Sequence, residues 1–359
     1  MKAILMLEDG KTFFAQSLWE VKEDRIGEVI FNTQVVGYQE MLTDPANIDK
    51  ILVLTYPLIG NYGCAQKFNE SEKVWPLALV IKENSRIFSN WQAEESLESF
   101  AKRHNLLVLT KVDTRTLTVH LRQKGSLLGV ISTRCFEEKL LQEKLAEFKR
   151  TQTKDLLAAV SVKKIIRQKR KHSKKVALLD LGLTKSLLRQ LEILGAAVDI
   201  LPYHTSAEEI LRLKPDGLIL SSGCEDVNSL KKVAEEIKPL LGKLPILGIS
   251  SGALVLGLAL GAKVNRLKLG HRGANYPLKR PTSLKGEISV QNHEFVLDAE
   301  SLSKIKGLKI TAFNLNDHSV EEIHLPRLKL WAAQYLLVSP GFKEVHPFLT
   351  KFMQNLRRK

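Results

Sequence analysis

Gly248-Ile249-Ser250-Ser251-Gly252-Ala253-Leu254 is the stretch whose residue types and spacing most directly suggest chemistry. It joins one apolar run to another, and small residues flank Ser250. A nucleophile is often carried on such a strand-to-helix turn. The small neighbours permit a strained backbone, and the first N–H groups of the helix face a developing oxyanion. The spacing Gly248-x-Ser250-x-Gly252 matches the G-x-S-x-G elbow. The same five residues fit equally well a tight turn whose small residues serve packing. A serine nucleophile also needs a neighbour that takes its proton. Downstream, His271, His293, His318 and His346 are the candidate bases, and Asp298 and Asp317 the candidate orienting acids.

Around that turn, residues 176–180, 198–201, 217–221 and 246–249 read as buried strands. Helices are expected over 186–194, 207–213, 230–241 and 254–260. Strand and helix alternate at spacings that demand a parallel sheet with crossover helices, so ligands belong at the carboxyl ends of the strands. That singles out the loops 181–184, 221–226 and 250–253. Residues 1–150 have another texture. Short apolar runs at 3–7, 28–31, 51–55 and 77–81 are separated by turn residues and read as a β-rich domain. Helices are expected near 94–104, over 114–124 with a stop at Gly125, and over 137–149. The expected domains are 1–150 and 176–359, with 151–175 as a basic linker.

The chain has 359 residues, with 44% hydrophobic and 26% charged, the mix of a folded protein of about two domains. Lys and Arg number 54 against 39 Asp and Glu, a net charge of +15. Residues 163–175 hold eight of those cations and no acid, and no aromatic residue interleaves with them. The run reads as a solvated linker rather than a nucleic-acid platform. The apolar run 253–262 is about half the ~20 residues that span a bilayer. The N-terminus has one Lys and a very short apolar stretch before Glu8, so no secretory signal is expected. Cys64, Cys135 and Cys224 form neither a disulfide framework nor a Cys-x-x-Cys metal pair. A cytoplasmic protein without a bound metal is expected.

Longer strings carry a resemblance. They include Phe31-Asn32-Thr33, Gly37-Tyr38-Gln39-Glu40, Leu42-Thr43-Asp44-Pro45, Leu54-Thr55-Tyr56-Pro57-Leu58-Ile59-Gly60-Asn61 and Val112-Asp113-Thr114-Arg115. Lys214-Pro215-Asp216-Gly217, Gln291-Asn292-His293 and Phe313-Asn314-Leu315-Asn316-Asp317 continue them. Over nearly its whole length the chain resembles the small subunit of carbamoyl phosphate synthetase. The resemblance implies a β-rich small-subunit domain followed by a class I glutamine amidotransferase domain of doubly wound α/β type. It implies glutamine hydrolysis by a cysteine with a His–Glu pair. The ammonia would pass to a large subunit that makes carbamoyl phosphate with ATP, for arginine and pyrimidine synthesis. This chain itself would need no cofactor.

Position by position, that chemistry is missing. The family elbow reads G-I-C-L-G-H-Q, so Ser250 stands for the cysteine and Leu254 for a glutamine-contacting Gln. The family's H-P-E before S-P-G falls near Leu336-Leu337-Val338, and residues 334–338 hold neither His nor Glu. Leucine and valine carry no proton. The binding loop N-G-P-G-D-P appears as Ser222-Gly223-Cys224-Glu225-Asp226-Val227, with Glu225 for a glycine. Ala46 replaces a glutamine-binding serine, and Glu294 replaces the glycine of N-H-G-F. Gly223, Ser251, Asn292 and Phe295 remain as binding remnants. His271 reads as structural, His293 as a loop residue without a partner carboxylate, and Cys224 as disfavoured for attack beside Glu225. The expected protein is a glutaminase-dead heteromeric partner of an ammonia-using large subunit. The alternatives are a glutaminase using Ser250, a serine hydrolase on the same turn, and a regulatory binding protein with no synthetase partner.

Overall fold

A computed structural model of the chain describes residues 1–151, 154–167, 174–281, 283, 285–341 and 343–356. It divides into two units, Met1–Lys154 and Asp155–Lys359.

In the first unit, seven strands close a barrel. They are Lys2–Leu7 (β1), Thr12–Ser17 (β2), Arg25–Asn32 (β3), Lys50–Leu54 (β4), Ala78–Val80 (β5), Leu107–Thr110 (β6) and Leu127–Ser132 (β7). Their order is β1-β2-β6-β5-β4-β3-β7, with β3 to β6 parallel in sequence and the other pairs antiparallel. The parallel strands are buried on both faces. Val53 and Leu109 pack on one side, and Leu52, Leu54 and Val108 pack on the other under Phe100. That double burial is why they read as continuous apolar runs. β2, β6 and β7 were not among the expected strands. In β2 buried and exposed residues alternate, leaving Phe14 in solvent, so no apolar run announces it. The helix Thr114–Lys124 has the expected limits. Asp113 caps its start by accepting from Thr116 N at 3.0 Å, and Gly125 ends it at φ 95°. The helix expected near 94–104 narrows to Leu97–Arg103, because Ser96 Oγ caps it through Ser99 N. Ala46 lies in a 3-10 turn, Pro45–Asn47, where its N–H donates to Asp44 Oδ1 at 2.9 Å.

In the second unit, ten strands among the described residues form one sheet. They are Ile166–Arg167 (β8), Lys175–Asp180 (β9), Ala197–Pro202 (β10), Gly217–Leu220 (β11), Ile246–Ile249 (β12), Val264–Lys279 (β13), Gly286–Leu297 (β14), Lys309–Asn314 (β15), Val320–Leu325 (β16) and Leu330–Ala333 (β17). Their order is β8-β10-β9-β11-β12-β17-β16-β15-β13-β14. β10, β9, β11, β12 and β17 are parallel, as the strand–helix alternation requires, and β16 to β13 extend the sheet antiparallel. The crossover helices are Lys185–Ile193, Ala207–Arg212, Val227–Ile237 and Ser251–Ala259. Ser251–Ala259 is apolar on nearly every side and buried throughout but for Leu258, the mark of a helix enclosed by the core.

The expected linker differs from what is observed. Residues 155–167 hold a short helix, Leu156–Val160, and the edge strand β8, and both belong to the second unit. A basic composition does not exclude an antiparallel edge strand, where Lys and Arg face water. Residues 152–153 and 168–173 of that segment lie outside the described residues. No helix of the described residues is long and apolar enough to cross a membrane.

Candidate active site

Ser250 stands at the carboxyl end of β12, in the middle of the parallel strands. Its backbone is left-handed, φ 52° and ψ −112°, a conformation that costs a non-glycine residue about 1–3 kcal/mol. Its N–H donates to Ala333 O at 2.7 Å, and its carbonyl accepts from Ala253 N at 2.8 Å. The flanking glycines are held by close approach. A Cβ on Gly248 would stand 2.4 Å from Gly252 O, and one on Gly252 would stand 2.3 Å from Leu220 O. The elbow therefore backs onto β11, from which the loop 221–226 leaves. In that loop Ser221 Oγ accepts from Leu181 N at 2.9 Å, and a Cβ on Gly223 would fall 1.7 Å from Leu181 O. Gly223, expected as a binding remnant, is required at this position by packing.

The elbow geometry is intact, and its hydroxyl stands alone among the described residues. Ser250 is 1% exposed, and its Oγ has no hydrogen-bond partner among the described residues; Ser251 Oγ is equally unpartnered. Among those residues no base touches the hydroxyl. Leu254, one turn into the helix, is fully buried hydrocarbon.

The chain leaves β17 at Ala333, beside Ser250, and runs through 334–338. There most polar groups bond within the fold, while the buried Gln334 Oε1 has no hydrogen-bond partner among the described residues. Gln334 N donates to Glu321 O at 2.8 Å, and Tyr335 Oη donates to Glu322 Oε1 at 2.5 Å. Glu322 is itself gripped by Arg280, at 2.6 Å from Nη2 to Oε1. Leu336 N donates to Val290 O, and Leu337 is buried in the core with its carbonyl accepting from Gln190 Nε2. Val338 is 42% exposed. The segment holds neither His nor Glu.

Two carboxylates meet at the hairpin β13–β14. Glu225, from the loop after β11, places Oε2 2.6 Å from Glu294 N and 3.3 Å from Phe295 N. Glu294 turns its own carboxylate to buried Arg272 at 3.1 Å and to Arg266 at 3.5 Å. Arg266 also lies over the Phe295 ring, 5.8 Å from its centroid. Asn292 sits on the same strand, paired in register with Arg272.

Further along the hairpin is a buried polar cluster. Gln291 Oε1 faces His271 Nδ1 at 2.7 Å and His293 Nε2 at 2.9 Å, while Gln291 Nε2 donates to Glu321 Oε1 at 2.6 Å. Asn314 Nδ2 also donates to Glu321 Oε1, at 2.7 Å. His271 Nε2 faces Asp317 Oδ2 at 2.9 Å. Burial pushes the Glu321 carboxyl up to about 7, against the pull of the Asn314 and Gln291 hydrogen bonds. Burial, then the nearby His271, brings His293 down to about 3, so its ring is neutral. Asp317, raised by burial, is carried well below the ordinary carboxylate range by hydrogen bonds from His271 and Ser319. His271, His293 and Glu321 place ligand atoms within 4.8 Å of one another, a spacing that could suit a metal ion. The Gln291 amide bonds directly to all three of those groups. It would have to withdraw before a cation could enter.

His293, expected in a loop without a partner carboxylate, is instead a buried residue of β14, its ring bonded to Gln291 and to Phe295 O. The expectation failed because nothing local in the sequence announced a 16-residue β13 pairing with it. His271, expected to be structural, bonds Gln291 and Asp317. Both its ring nitrogens are engaged away from the elbow. His318 occupies an exposed turn at φ 61°. His346 caps the helix Pro347–Gln354, its Nδ1 accepting from Phe348 N at 3.2 Å, and burial lowers its pKa. Asp298 caps the helix Ala299–Ser303 through Ser301 N at 2.8 Å. Cys224 is buried. The structure thus joins Glu225 to Glu294 and Phe295 and joins His271 to Asp317. Among the described residues it assembles no triad on Ser250.

Comparison with known proteins gives the same domain pair. Residues 5–131 match the family model for the carbamoyl-phosphate synthase small chain, CPSase domain, and residues 177–335 match glutamine amidotransferase class-I. The chain is 37% identical over 361 residues to the carbamoyl phosphate synthase small chain of Chlorobaculum tepidum, covering 99% of this chain and 98% of that one. It is 36% identical over 359 residues to the small chain of Listeria monocytogenes, covering 100% and 98%. Among solved structures it is similar to a glutamine amidotransferase from Thermotoga maritima, at 16% identity and TM-score 0.35, covering 46% of this chain and 76% of that one. It is also similar to the glutaminase domain of Trypanosoma brucei CTPS, at 18% identity and TM-score 0.40, covering 50% and 92%.

Proposed function

The chain belongs to the carbamoyl phosphate synthase small-chain family, and we propose that it is a member without glutaminase activity. It serves as the structural or regulatory partner of a large chain that draws on free ammonia. The observation that carries this reading is the buried Ser250 Oγ with no hydrogen-bond partner among the described residues, on an elbow beside a 334–338 segment of Gln, Tyr, Leu, Leu and Val. A hydroxyl is far less acidic than a thiol and depends wholly on a base for attack. General-base help is typically worth about 10²–10⁴-fold, and a neutral buried serine forgoes it. The changes at Glu225, Leu254 and Glu294 support the same reading, because each alters a position where the family contacts glutamine. The framework of the fold persists. The barrel, the parallel sheet and the strained elbow are all complete, as expected where fold and partner surface remain under selection.

The test is carbamoyl phosphate formation by this chain with the large chain of its own organism, glutamine and ammonium chloride being compared as nitrogen donors. Synthesis from ammonium alone is the expected result. Synthesis from glutamine at a rate comparable to that from ammonium would overturn the reading.

A further inference from the structure

The backbone N–H groups of Glu294 and Phe295 converge on one oxygen of the Glu225 side chain, at 2.6 and 3.3 Å. The two donors are neighbours on β14, and the acceptor comes from a loop 69 residues earlier. Two consecutive main-chain N–H groups aimed at one carboxylate oxygen make an anion-accepting position, and hydrogen bonds to an ionised acceptor are about twice as strong as neutral ones. What this position accepts is evident from what it holds, a carboxylate.

We propose that the Glu225 carboxylate is the resident occupant of an anion position formed by Glu294 N–H and Phe295 N–H, and that it closes this position to the carboxylate of a free amino acid. The proposal rests on the glutaminase-dead reading and adds its binding counterpart: this chain excludes the substrate as well as failing to turn it over. A tethered group has an effective local concentration on the order of millimolar or above, so a free amino acid must outcompete it and overcome its like charge. The geometry also defines the ligand class admitted once Glu225 is removed, a small amino acid whose carboxylate takes the two N–H groups. Glu294 turns its own carboxylate toward Arg272 and Arg266.

The test uses the full chain in three forms, wild type, Glu225→Ala and Glu225→Asp. The aspartate keeps the charge and withdraws it by one methylene. L-Glutamine is titrated while the amide NMR signals of Glu294 and Phe295 are followed, and glutamate release is measured in the same samples. In wild type the two signals should stay in place. In Glu225→Ala they should move saturably, with an apparent affinity for L-glutamine at least about tenfold above wild type. In Glu225→Asp they should move more weakly. Should the alanine variant fail to fold, the aspartate variant still decides. Movement in wild type, or none in either variant, overturns the proposal and leaves the glutaminase-dead reading intact. Glutamate release by wild type overturns that earlier reading, whatever the amide signals do.

Discussion

The backbone N–H of Ser250 donates to the carbonyl of Ala333 at 2.7 Å, tying the elbow to the strand end from which residues 334–338 depart. The contact holds the Ser250 turn against the start of the 334–338 segment. The hydrogen bond is main-chain to main-chain and does not depend on which residues fill either position.

The Ser250 hydroxyl is buried without a partner among the described residues, a state that costs about 1–3 kcal/mol. Ser250→Ala removes that cost and keeps the same backbone strain. The variant should match or exceed wild-type stability by up to about 1 kcal/mol in urea unfolding. Ser250→Cys alone should release no glutamate from glutamine, because no base is supplied; release would mean that a proton acceptor lies within reach after all.

Gly223 should tolerate no side chain. With Leu181 O 1.7 Å from the would-be Cβ, Gly223→Ala has to move main chain. A loss of about 1–3 kcal/mol or more is expected. An alanine variant of unchanged melting temperature would refute the packing role and return this glycine to substrate contact.

Glu321 predicts a pH signature. Its carboxyl rises from 4.5 to about 7 in the folded chain, so folding favours the protonated form. That stabilisation is complete below about pH 4.5 and is lost as pH climbs through 7, on the order of 3 kcal/mol in all. Glu321→Gln keeps an oxygen for Asn314 and Gln291 and cannot ionise. Its melting temperature relative to wild type should improve between about pH 5 and pH 8. Parallel pH curves for the two proteins would show that Glu321 titrates normally.

Arg280 grips Glu322, whose side chain is 1% exposed. Arg280→Ala leaves that charge buried with Tyr335 and Thr311 as its remaining neutral donors. A loss of about 3–5 kcal/mol is expected by denaturant unfolding, and a loss below about 1 kcal/mol would show that water reaches Glu322.

Much of this was legible in the sequence wherever the cause is local. The helix Thr114–Lys124 announces itself by Asp113 and Gly125, and β12 with its elbow by an apolar run meeting Gly-x-Ser-x-Gly. The absence of His and Glu from 334–338 was legible too. Illegible were features created by contacts distant in sequence. Glu225 reads as added bulk beside a site until β14 places two N–H donors against it. His293 reads as a loop residue until the pairing of β13 with β14 buries it. Strand β2 escaped notice because its outward residues, Phe14 among them, are not screened by polarity, and the edge strand β8 was masked by surrounding charge.

Glutamate release from L-glutamine by the full chain together with its large chain, measured for wild type and Ser250→Ala side by side, tests the central claim most directly. The account predicts no release above background from either protein, with carbamoyl phosphate formed from ammonium by both. Release by wild type that vanishes in Ser250→Ala would contradict it and make Ser250 a working nucleophile.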